Sequence, residues 1–140
     1  MINDGLKLTG ALTIALNDEI VQETENLVVT AGKNWVADRM NDVNTVMTHM
    51  AVGTGTTAAA AGNTTLVTEN DRNALTSTTV TGNAIAYVAT WAAGDGTAAL
   101  TEAGLFDAAS AGDMLARTVF SVVNKGAADS MTITWTITVS

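Results

Sequence analysis

Residues 130–140, Ser-Met-Thr-Ile-Thr-Trp-Thr-Ile-Thr-Val-Ser, alternate apolar side chains with threonine without a break. Successive side chains of an extended strand point to opposite faces. Met131, Ile133, Trp135, Ile137 and Val139 therefore line one face, and Thr132, Thr134, Thr136 and Thr138 line the other. A period of two over this length predicts a strand with one face in a core. The second face is uncharged and β-branched, and such side chains lose little rotamer freedom on burial. It is expected to lie against a neighbouring strand or subunit.

The same alternation recurs upstream. Leu6 to Leu16 reads as a strand with Leu8, Leu12, Ile14 and Leu16 on one face and Lys7, Thr9 and Thr13 on the other. Asn17-Asp18 supplies a turn, and Glu19 to Val29 returns as a second strand. The period then changes: Thr30 to Met40 places Ala31, Trp35 and Met40 near one helical face, with Thr30 as the N-cap. Val46 to Val52 predicts a further strand, and residues 53–65 are a Gly/Thr/Ala-rich loop. Leu66 to Arg72 is ambiguous and is compatible with a second short helix. Strands are expected over 73–81 and 84–91, joined by Gly82-Asn83 as a hairpin turn, and then over 99–106, 114–123 and 130–139. The expected fold is mainly β: an antiparallel β-sandwich or a jelly-roll-like barrel, with an N-terminal hairpin and one or two short helices. One domain spans 1–140, with 1–29 a hairpin or arm, 30–45 a short helix and loop, and 46–140 the sandwich. The hairpin is expected to be an attachment element outside the core. Its Leu8, Leu12 and Ile14, with Thr132, Thr134, Thr136 and Thr138, are the candidate interface residues.

At 140 residues the chain is long enough to bury roughly two thirds of its unfolded surface. It has no cysteine, which excludes thiol catalysis, thiolate metal sites and disulfides. The net charge of −8 repels a phosphate backbone, so nucleic acid is not an expected partner. No apolar run reaches the roughly 18 residues of a membrane span, and the start lacks the pattern of a secretory signal. Charged residues make up 14%, against about 25% in soluble domains. Much of the surface must then be threonine, alanine and glycine, which suits a protein covered by neighbouring subunits. Proline, a common guard of edge strands, is absent.

The residues that carry chemistry elsewhere form no recognisable catalytic pattern here. His49 is the only histidine, and a triad would have to recruit Ser77 or Ser121 with no spacing to support it. Among carboxylates that could pair across space, Glu69, Asp71, Glu102 and Asp107 are the candidates. Glu102, in the middle of a strand, is read as facing solvent or accepting bonds from a neighbouring loop or subunit. Gly53-Thr-Gly55 lacks the rest of a phosphate loop, and Gly94-Asp95-Gly96 lacks the further acids of a calcium loop. Trp35, Trp91 and Trp135 are expected as core anchors rather than as a carbohydrate platform. No catalytic residue, metal or cofactor is expected.

Several phrases carry a resemblance: Asn26-Leu-Val-Val-Thr-Ala-Gly-Lys-Asn34, Ala51-Val-Gly-Thr-Gly-Thr-Thr57, Ala74-Leu-Thr-Ser-Thr-Thr79, Leu100-Thr-Glu-Ala-Gly-Leu-Phe-Asp107, Met114-Leu-Ala-Arg-Thr-Val-Phe120, and the Met131–Val139 strand. Together they resemble small structural proteins from the virion modules of tailed bacteriophages. The resemblance implies a non-enzymatic capsid decoration or cement protein. It would be made in the host bacterial cytoplasm, bind the capsid exterior as a homotrimer, and clamp neighbouring major capsid subunits. Similar Glu-Ala-Gly-Leu-Phe-Asp strands occur in tail, collar and fibre components, which is the alternative position in a virion. No capsid-binding motif is present. A more remote alternative, a carbohydrate-binding β-sandwich, requires exposed tryptophans and paired carboxylates.

Overall fold

The computed structural model describes residues 5–140. Its elements are β1 (Leu8–Leu16), β2 (Glu19–Glu25), β3 (Leu27–Val28), α1 (Thr30–Met40), β4 (His49–Gly53), β5 (Glu69–Ala74), β6 (Ser77–Thr81), β7 (Ala84–Trp91), β8 (Ala98–Phe106), β9 (Met114–Lys125) and β10 (Met131–Val139). Two tight turns have a local chemical cause. Asn17 and Asp18 both take positive φ, 50° and 65°, which fits the twist of the β1–β2 hairpin and suits residues whose short polar side chains tolerate that region. Gly82, at φ 59°, opens the two-residue link from β6 to β7.

The strands form two five-stranded antiparallel sheets, ordered β2-β1-β10-β7-β6 and β3-β9-β8-β4-β5. This is a sandwich; the sheets do not close into one barrel. The alternating segment at 131–139 is a central strand, paired with β1 on one side and β7 on the other, Trp135 lying opposite both Leu12 and Tyr87. Its apolar face meets Met50, Val52, Leu100, Leu105 and Leu115 from the second sheet in one cluster with Trp91, Ile133 and Trp135. All three tryptophans are buried, as expected of core anchors.

Several boundaries move for physical reasons. Of the segment 1–29, residues 1–4 lie outside the described residues, and residues 5–29 are not an arm outside the sandwich, because β1 and β2 are two of the five strands in the first sheet. Leu12 and Ile14 are 1% and 0% exposed, so they are core residues and not interface residues. Segment 19–29 splits at Asn26, and β3 crosses to pair with β9 in the second sheet. Segment 73–81 splits at Leu75-Thr76 in the same way, sending β5 and β6 to different sheets.

The α1 helix starts on Val29, with no side-chain cap. The Thr30 amide donates to the Ala61 carbonyl at 2.8 Å, so the loop satisfies one of the first-turn amides that lack an intrahelical partner. Gly32 lies directly against the Leu115 backbone, where a Cβ would collide with that carbonyl, and the helix therefore rests flat on β9. Trp35 is buried, but Met40 is solvent-exposed. No second helix forms over 66–72.

Candidate functional site

The sheet surfaces are covered unequally. The outer side of the second sheet carries its own apolar cluster, Val29, Ala51, Leu66, Phe106 and Met114, with the loop over 54–68 bound above it. Glu102 holds that loop down. A register shift between Leu100 and Glu102 breaks the alternation of β8, so Leu100 and Leu105 both face the core while Glu102 turns outward. Its Oε1 accepts from the Val67 amide at 2.9 Å and from Arg117 Nε and Nη2 at 3.1 and 3.0 Å. Its Oε2 accepts from the Gly55 and Thr68 amides at 2.7 and 2.8 Å. Arg117 gives two of its remaining donors to Asn63 Oδ1 and the Thr57 carbonyl. Both side chains are wholly buried. Burial alone would raise the Glu102 carboxyl, but the Thr68 and Val67 amides, with Arg117 and Gly55, outweigh it and hold the group below the usual carboxylate range. Gly55 is required here because a Cβ would strike Glu102. The Gly53-Thr-Gly55 phrase thus serves close approach to a carboxylate within the chain.

The remaining candidates are each engaged separately. His49 Nδ1 lies 2.8 Å from Thr48 Oγ1, and neither Ser77 nor Ser121 is hydrogen-bonded to it. Glu69 is bound by Arg72 at 2.7 Å, and the Arg72 guanidinium also stacks 3.7 Å above the Phe106 ring. Asp107 Oδ1 accepts from the Asp113 amide at 2.7 Å. No group of three or more metal-ligating side chains occurs among the described residues.

One pairing was not legible in the sequence. Asp71 on β5 and Asp95 in the β7–β8 turn interact side chain to side chain beside buried Trp91. Asn73 Nδ2 donates to Asp95 Oδ2 at 2.7 Å. Burial, followed by the hydrogen bond and the charge of Asp95, raises Asp71, whereas Asn73 and Asp71 hydrogen bonds, assisted by Lys125, lower Asp95. A raised carboxyl favours the fold at acid pH, and that contribution is lost as pH rises through its folded value. Asp71→Asn keeps the shape without the titration. The melting temperature of the variant relative to the native protein is therefore expected to increase from pH 4 to pH 7; a constant difference across that range would contradict this.

Among the described residues, nothing covers the outer face of the first sheet. Register places Thr9, Ala11, Thr13 and Ala15 of β1 beside Thr138, Thr136, Thr134 and Thr132 of β10. Those in turn lie beside Ala84, Ala86, Val88 and Thr90 of β7, and Thr81, Thr79 and Ser77 of β6 complete the row. None of these residues is charged. Glu23 and Glu25 stand only at the β2 margin, opposite Thr13 and Ala11. The four threonines of β10 are half-buried by their cross-strand neighbours, and Thr132 meets Thr90 at 3.3 Å between hydroxyls. Leu8 belongs to the opposite side of β1, with Leu12 and Ile14, and is partly buried against the core rather than part of this face.

No family model matches the chain, and comparisons with curated proteins and with solved structures likewise gave no match.

Proposed function

We propose that this chain is a non-enzymatic structural protein of a bacteriophage particle. In this reading it is a capsid decoration protein that sits on the outer shell as a homotrimer and clamps neighbouring major capsid subunits. The observation that carries the reading is the uncovered, uncharged threonine–alanine face across β1, β10, β7 and β6. The solvent side of an antiparallel sheet ordinarily carries charged and polar side chains. A face of short, stiff, uncharged residues loses little entropy and abandons no ion hydration when another protein covers it. With strands ~4.8 Å apart and ~3.4 Å per residue, four strands of this length present on the order of 500 Å². That is the same order as one side of a standard interface, ~800 Å². The resemblance of the phrases at 51–57, 100–107 and 114–120 to virion proteins supports the same reading.

Thr134 lies at the centre of this face. Thr134→Lys is expected to keep the native melting temperature within a few degrees and to abolish incorporation into particles, scored by electron microscopy of the head and by mass spectrometry of purified virions. Unchanged occupancy of the head by the variant would remove this face from the role. Density for the chain only below the head would replace decoration with a tail, collar or fibre position.

A further inference from the structure

The chain carries six lysines and arginines, and four of them are engaged internally. Arg39 pairs with Asp42, Arg72 with Glu69, and Arg117 with Glu102. Lys125 donates to the Ala92 and Asp129 carbonyls. Lys7 and Lys33 have no ion pair or side-chain hydrogen bond to any described residue, and both line one groove between α1 and the start of β1. The groove has a volume of about 710 Å³ and an apolar floor that includes Leu6, Val36, Met40 and Val139. Met40 is 86% exposed and Leu6 68%. An apolar groove with a cationic rim, on a chain of net charge −8, selects an occupant that is apolar and acidic.

Such a surface exists on the same chain. On β2, an edge strand of the first sheet, Ile20 is 60% exposed beside exposed Val21, flanked by Glu19 and Glu23, which have no ion-pair partner among the described residues. The groove lies at the Leu8 end of β1, whereas Glu19 pairs with Leu16 at the other end. At about 3.4 Å per residue the two surfaces lie some 25 Å apart and cannot meet within one molecule. The geometry points to a second copy of this chain as the occupant: the Ile20–Val21 corner of one copy enters the lysine-rimmed groove of the next, with Glu19 and Glu23 facing Lys7 and Lys33. Two different patches make the contact heterologous, so repetition closes a ring or extends a filament. The ring of three rests on the decoration reading; the contact itself does not.

Native mass spectrometry of the full chain tests it. The native protein is expected at three times the monomer mass, and Lys33→Glu and Glu23→Lys separately are expected as monomers with unchanged circular dichroism, since both side chains are exposed. The combined Lys33→Glu/Glu23→Lys variant restores the charge pairing and is expected to reassemble. A native protein that stays monomeric overturns the proposal. So do single variants that keep the native mass, a combined variant that stays monomeric, or a monomer that assembles only once residues 1–4 are removed, which would make the chain's own start the occupant. A ring that is absent from phage heads would leave this contact standing and remove the decoration reading. A monomer found on heads would do the reverse.

Discussion

Arg117→Met is expected to lower the unfolding free energy by about 3–5 kcal/mol, the cost of leaving a buried carboxylate without its counter-charge. Glu102 would then sit wholly buried among the Val67, Thr68 and Gly55 amides, with the guanidinium gone. Glu102→Gln is also costly for a different reason: one of the two acceptor oxygens becomes an NH₂ pointed at backbone donors. The double variant is expected to lose less than the sum of the two, because it leaves no unpaired buried charge. Denaturant unfolding of the four proteins measures this. Additive losses would mean that the pair is not the unit holding the loop. The sign with pH is also fixed. A carboxyl held low contributes stability above its unfolded value, about 4.3, and that contribution is lost as pH falls through the lower folded value. The native protein should therefore lose more stability on acidification than Glu102→Gln does. Amides 55, 67 and 68 should exchange faster in either single variant.

Removing residues 1–29 is expected to abolish cooperative folding. The truncation deletes β1 and β2 from the first sheet and β3 from the second, taking Leu12, Ile14 and Val28 out of the core. It also strips β10 of its hydrogen bonds from Leu8 to Leu16, and Trp135 of its neighbour Leu12. Losing a single buried leucine costs about 2–5 kcal/mol, and whole domains are stable by about 5–15, so three core residues and three strands exceed what remains. Calorimetry should show no transition. A truncated protein that melts cooperatively would show that the hairpin is a peripheral arm after all.

Legibility in the sequence followed how local each cause was. The β10 strand was readable because one face needs apolar residues throughout, and the β6–β7 turn because Gly82 suits its backbone. The hairpin was misplaced because alternation says that Leu12 and Ile14 share a face, but not which sheet that face covers. Tertiary demands decided the ambiguous segment 66–72 against a helix: Leu66 anchors the outer cluster, and the next two amides are captured by Glu102, which lies 35 and 34 residues away in sequence. Glu102 itself left one readable sign, the odd spacing between Leu100 and Leu105, which only a bulge can place on one face. The Asp71–Asp95 pairing left none, since it arises where a sheet edge meets a turn. The uncharged face was half visible in the Thr132–Thr138 row, and its extension over β1, β7 and β6 required the register.

The number of copies of this chain per particle tests the central proposal most directly. Quantitative mass spectrometry of purified virions, with the major capsid subunit as internal reference, is predicted to give a ratio of the same order as that subunit. A few copies per particle, or none, would contradict a decoration protein.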